Sequence, residues 1–391
     1  MQGALAIALA EWSANGIPHD RGAWLYRVAK NELLAVLRKD HAHRRILERE
    51  AHPEPDLEVE PHTATFAGEV RDELLRMVFV CCHETIPEES RLVLALKTLC
   101  GFSIAEIAFR LFTTEANVYK RLARARERLR QVDVDTETPP LESLRSRLPS
   151  VHTVIYLLFN EGYLSTHPEH AIRSELCDEA IRLGTLLAGH PVGAAPPTFA
   201  LLALMHLHAA RLAARQDATG GLLLLEEQDR TLWDADHLRE GAVWLARSAR
   251  GDVFTRFHAE AGIAAEHCFA PSFAETRWKE IAELYAMLQR IDPSPIHALN
   301  RAVAVAEWQG PEAGLATLDG VVPPRWLDGH YLWDAVIADL HDRAGNAAAA
   351  EKHRELALAA APSISLRQLL HRRLTGGSQR PRRDSNTQPS A

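Results

Sequence analysis

Between Tyr119 and Gln131, six basic side chains (Lys120, Arg121, Arg124, Arg126, Arg128 and Arg130) stand against one acid, Glu127, a local balance of +5 in a chain whose net charge is −8. Guanidinium and ammonium groups at this density do not turn over a substrate. They bind phosphate, and Arg does so through a planar fork of donors. An acidic chain with one concentrated basic segment focuses its attraction for a polyanion on that segment and repels it elsewhere. A solvated helix face is the ordinary alternative, because Arg is also a good helix former. The elements that would position these residues decide between the two.

Ser103 and Glu106 form an S-x-x-E capping box, so a helix starts at Ser103. Ile104, Ile107 and Ala108 give it an apolar stripe that runs only to about Leu111, after which Thr113 and Thr114 offer a new N-cap. A second helix follows from Glu115. Along it Val118, Leu122, Ala125 and Leu129 recur at helical spacing, while Asn117, Lys120, Arg121, Arg124 and Arg128 fall on another face. Two short helices joined by a tight turn, the second strongly basic, have the form of a helix-turn-helix DNA reader spanning Thr98 to Gln131.

The rest of the chain is organised around that stretch. At 391 residues, 47% hydrophobic and 25% charged, it has an ordinary globular composition with room for two or three domains. Five cysteines without a C-x-x-C spacing point to neither a disulfide framework nor a cysteine zinc site, and a reducing cytoplasm is expected. The N-terminus lacks a basic leader and no run of about 18 apolar residues occurs, so neither secretion nor a membrane span is expected. Residues 1 to about 46 read as helix, loop, helix. In the second helix Leu25, Val28, Ala29, Leu33, Val36 and Leu37 share a stripe that leaves Arg27, Lys30, Asn31, Arg38 and Lys39 largely outside it. Trp24, at its start, either stacks a base or anchors the core. Residues 47–70 turn abruptly acidic and proline-bearing, the composition of an extended linker. Helical patterning returns from Arg71.

AWLYRVAKNELLAVLR, the acidic linker, and ESRLVLALKTLCGFSIAEIAFRLFTTEANVYKRLARARERLR together resemble regions 2 and 4 of a bacterial extracytoplasmic-function sigma factor. FVCCHETIPEE upstream and VIYLLFNEGYLSTHPE downstream are similar to the subgroup with a long, tetratricopeptide-like C-terminal extension. The resemblance implies a subunit that joins RNA polymerase core, at its β′ clamp and β flap, and directs it to promoter DNA. It places the helix from Glu115 in the major groove of the −35 element, with Thr114, Glu115, Asn117, Lys120, Arg121, Arg124 and Arg128 as contacts. Arg27, Lys30, Asn31, Arg38 and Lys39 would then meet the −10 element. Family members begin region 2 some tens of residues earlier, so residues 1–46 are a region 2 remnant, through a late start codon or a true truncation. The turn at Leu111 and Phe112 lacks the glycine often found there, which a short αR turn tolerates.

After region 4, taken as residues 71–132, an acidic, proline-bearing stretch marks a second boundary, and residues 133–374 read as successive helices. Gly310 aligns with Gly345 and Ala313 with Ala348 at an offset of 35, close to the ~34 of tetratricopeptide units, so a helical-repeat domain that binds a protein partner is expected. His206 and His208 point about 200° apart on a helix and cannot share one metal. Asn160, Glu161 and Tyr163 form a compact polar cluster that suits either a ligand or partner site or interhelix hydrogen bonds. No Gly-rich phosphate loop, G-x-S-x-G or H-E-x-x-H is present, and neither catalysis, a cofactor nor a metal is expected. Residues 375–391 have the composition of a disordered tail. The expected architecture is all-α: a region 2 remnant, a helix-turn-helix region 4, and a helical-repeat regulatory domain. The alternatives are a DNA-binding scaffold that does not initiate and, more remotely, an enzyme housed in the extension.

Overall fold

Side-chain caps open three of the first four helices, two of them where the sequence places them. Asp72 accepts from Leu75 N–H at 2.9 Å ahead of α1 (Glu73–Cys81). Pro87 precedes α2 (Glu88–Thr98), Ser103 caps α3 (Ile104–Arg110) and Thr114 caps α4 (Glu115–Arg130). The computed structural model describes residues 72–131, 141–165, 171–218, 220–324, 327 and 330–375. Residues 1–46, the acidic linker and the tail beyond Thr375 lie outside the described residues, and with them Arg27, Lys30, Asn31, Arg38 and Lys39.

The described residues continue as eleven further α-helices with three 3₁₀ turns and no strand beyond an isolated bridge between Gln216 and Leu222. The protein is all-α, as the sequence pattern leads one to expect. The helices are α5 (Leu141–Tyr163), α6 (Ser174–Gly189), α7 (Pro196–Ala209), α8 (Ala235–Ser248), α9 (Arg256–Phe269), α10 (Trp278–Ile291), α11 (Pro295–Gln309), α12 (Pro311–Ala316), α13 (Tyr331–Arg343), α14 (Ala347–Ala359) and α15 (Ile364–Thr375). Consecutive helices pack as hairpins, with α7 at the centre against α5, α6, α8 and α9. From Ala200 to Leu207 every side chain of α7 is buried, the property of a helix that is apolar all round. No helix among the described residues is long and apolar enough to cross a membrane.

One hydrophobic core runs from Leu75, Phe79 and Val93 through Val118, Ile155 and Phe159 to Leu201 and Cys268. It therefore passes across residues 132–140, where composition suggested a boundary, and α1 and α2 pack directly on α5. All five cysteines are unpaired and four of them are buried, where desolvation pushes the Cys81 thiol up to about 12. Further along, Gly310 and Gly345 take φ of 100° and 80° at the turns between α11 and α12 and between α13 and α14, a left-handed backbone that favours glycine. The two hairpins are unequal, because α12 has six residues and α14 thirteen.

Candidate nucleic-acid interface

The basic helix is set on its support by caps at both ends of the helix that precedes it. Ser103 Oγ accepts from Glu106 N–H at 3.1 Å, and the Glu106 carboxylate accepts from Ser103 N–H at 2.5 Å, closing the capping box of α3. At the far end of α3, Phe112 N–H donates to Phe109 O at 3.2 Å and Thr113 N–H to Ala108 O at 2.9 Å. This is the hydrogen-bond pattern of a Schellman C-cap, with Phe112 at the left-handed position. The turn is thus not the αR turn expected from the sequence: φ of Phe112 is +47°, the one positive φ outside glycine among the described residues. A left-handed non-glycine residue costs about 1–2 kcal/mol. The Phe112 ring packs 5.3 Å from that of His330, and Phe109 lies 5.1 Å from the same imidazole, so α13's N-terminal end holds the turn from outside.

Thr114 Oγ1 then accepts from Asn117 N–H at 3.2 Å and α4 begins. Val118, Leu122 and Ala125 are buried against α2 and α3, as their spacing requires. Asn117, Lys120, Arg124 and Arg128 project into solvent in a stripe that the 3.6-residue period keeps within about 80°. Glu115 and Thr114 are exposed at its N-terminal end. Arg121 belongs to the same face but is less available, because its guanidinium pairs with Glu89 of α2 at 2.6 Å. Asn117 is also engaged, donating to Thr113 Oγ1 at 3.3 Å. Sequence reasoning left out Tyr119, which is 59% exposed on the other border of the basic face. An exposed aromatic beside Lys120 was the available signal.

The polar cluster downstream is divided rather than shared. Consecutive residues at the end of α5 point in different directions, and Glu161 and Tyr163 face separate neighbours. Glu161 is fully buried; its carboxylate accepts from Arg110 Nε of α3 at 2.8 Å and from Ser165 Oγ at 2.6 Å. Arg110 also donates to the carbonyls of Asn160 and Leu164. Of the two uses that the sequence leaves open for Asn160, Glu161 and Tyr163, Glu161 takes the interhelix hydrogen bonds: it ties the helix-turn-helix to α5. Gly162 permits the close approach of α6, since a Cβ there would meet Arg173 O and Cys177 N at 2.7 Å. Tyr163 turns away, with its hydroxyl accepting from Arg211 at 2.9 Å. His206 lies against His237, Nδ1 to Nδ1 at 2.9 Å, and His208 against the Tyr163 ring. Arg110, Arg173 and His330 carry the junction to the helix-turn-helix, and none was legible as a site residue because their partners lie far off in sequence.

Comparison with known proteins agrees with this geometry. Residues 76–129 match sigma-70 region 4, the span that holds α3, the Phe112 turn and nearly all of α4. Residues 147–249 match a family of unknown function (DUF6596). An uncharacterized protein of Rhizobium meliloti (strain 1021) is 34% identical over 365 residues, 93% of this chain and 86% of that one. No solved structure matches the chain.

Proposed function

The chain belongs to one family with that Rhizobium protein, and we propose that it acts as a sigma factor of the extracytoplasmic-function type with a regulatory helical extension. The observation that carries the proposal is the coincidence of the region 4 match with a solvent-facing basic stripe on the second helix of a helix-turn-helix. In this reading α4 enters the major groove of the −35 element. Arg124 and Lys120 reach base edges or phosphates, and Asn117 exchanges its bond to Thr113 for an adenine edge. Arg27, Lys30, Asn31, Arg38 and Lys39 take the −10 element, and RNA polymerase core supplies all the chemistry. The chain itself catalyses nothing and works in the cytoplasm.

The extension, a helical-repeat domain related to tetratricopeptide arrays in this proposal, regulates α4 through two contacts on the helix-turn-helix, Arg110 to Glu161 and Phe112 to His330. Excising residues after about 135 would strip apolar partners from α1 and α2, so point variants test the role more cleanly. The experiment is promoter-directed transcription by core polymerase reconstituted with the full chain. A Lys120→Ala, Arg124→Ala variant should lose −35-dependent transcripts while still co-purifying with core. His330→Ala should change the transcript yield without touching the DNA face. Failure of the unmodified chain to bind core polymerase would favour a DNA-binding scaffold that does not initiate.

A further inference from the structure

A second group of arginines lies inside the helical extension. Arg211 and Arg215, just after α7, are 8% and 9% exposed, and Arg230 is half-buried beside them. Arg211 donates to Tyr163 Oη at 2.9 Å, and Arg215 donates to the Tyr163 carbonyl and lies 3.6 Å over its ring. Arg230 donates to the carbonyls of His267 and Ala270 at 3.1 and 2.8 Å. Arg211 and Arg230 both face the buried indole of Trp233, with guanidinium carbons 5.9 and 4.3 Å from its centroid. The oxygen acceptors of these arginines are all neutral, and the other partner of Arg211 is the Cys268 thiol. Among the described residues no carboxylate pairs with any of the three, and the charged neighbours of Arg215 and Arg230 are Arg211, Tyr163 and cysteine thiols. The thiols supply no anion near neutral pH, since burial pushes Cys268 up to about 11 and Cys177 to about 12.

Polar atoms of these residues and their neighbours are left unused. Arg211 Nε, Arg230 Nη2 and Trp233 Nε1 are buried and without a hydrogen-bond partner, and so is Nδ1 of His267, whose ring is held neutral by burial and by Arg211 and Arg230. Guanidinium does not give up its proton in proteins, so the site keeps its positive charge whatever the imidazoles do. Leaving such a charge buried and unpaired costs several kcal/mol, and repulsion between neighbouring arginines adds to that. Water would satisfy the donors but not neutralise the charge. Arg is also the residue whose planar fork matches an oxyanion.

We propose that Arg211, Arg215 and Arg230, with Tyr163, Trp233 and His267, form a binding site for a phosphate-sized oxyanion, free or as the charged group of a small molecule. The site lies apart from the DNA face and stands whether or not the chain directs transcription.

The test uses the full chain and inorganic phosphate, with sulfate and chloride at matched ionic strength. Phosphate should raise the Tm saturably and change tryptophan emission. In Trp233→Phe, which removes both the reporter indole and its Nε1 donor, the emission change should shrink and the Tm response should weaken with it. Arg211→Gln should weaken phosphate binding at least about tenfold, the loss of a charge-assisted hydrogen bond. Arg230→Gln, at the more exposed position, makes the same test should Arg211→Gln fold poorly. A response equal to that of chloride, or one unchanged in a folded arginine variant, would overturn the proposal.

Discussion

Two concentrations of arginine stand in opposite surroundings in this chain. On α4 the cations project into water, where each is screened and separated from its neighbours at small cost, and they wait for a polyanion without burdening the fold. Around Trp233 and Tyr163 the guanidiniums are wholly or half enclosed and, among the described residues, lack a carboxylate. A third arrangement is Arg110 on Glu161, where a half-buried cation pairs with a fully buried anion. Exposed charge can be kept ready indefinitely; enclosed charge has to be answered from within or from outside.

The largest test of that contrast is at the answered pair. Glu161→Ala leaves Arg110 facing a buried void, and the stability measured by urea unfolding should fall by about 3–5 kcal/mol. A loss comparable to that of a surface substitution would show that the pair does not secure the helix-turn-helix. Acidification probes the same interior. Burial lowers His152 to about 4, and burial with the neighbouring His237 does the same to His206. The unfolded chain, with imidazoles near 6.5, then binds more protons than the folded one below that pH. Stability should be flat above pH 6.5 and decline toward pH 4 by about 1.4 kcal/mol per pH unit for each such histidine. His152→Gln should flatten the decline, and a slope unaltered in that variant would exclude His152 as its source.

On the exposed side, Arg124→Ala should weaken promoter binding by about 1–3 kcal/mol and, if it contacts phosphate, reduce the salt slope by about 1. Its unfolding free energy should stay within about 0.5 kcal/mol of the parent. Equal damage to folding and binding would mean that α4 is not a free face. The smallest effect is expected at the turn. Phe112→Gly and Phe112→Ala both lose the His330 contact, but only glycine relieves the left-handed backbone, so the glycine variant should be the more stable by about 1 kcal/mol. Equal stabilities would show that the backbone there stores no strain.

What the sequence revealed and concealed follows the range of the interactions. Capping boxes and helix faces are local, so Ser103, Thr114 and the division of α4 into packed and basic sides could be read from spacing alone. The left-handed Phe112 could not, since residue type argues against it and the compensating ring comes from His330. Asn160, Glu161 and Tyr163 looked like one cluster because they are adjacent in sequence, and helix geometry sends Glu161 and Tyr163 to opposite neighbours. Arg211 and Arg215 have the i, i+4 spacing of an ordinary solvated surface. Their burial is a property of what packs over them, which no local pattern records.

The contact of Phe112 with His330 also sets an order in time. The two residues are 218 positions apart, so a ribosome making roughly 5–20 residues per second completes the helix-turn-helix some ten to forty seconds before the imidazole that braces its turn has been synthesised. During that interval nothing from α13 offsets the cost of a left-handed Phe112. The helix-turn-helix therefore gains this brace only once α13 has emerged and docked, which couples the setting of the turn to the synthesis of a helix far downstream.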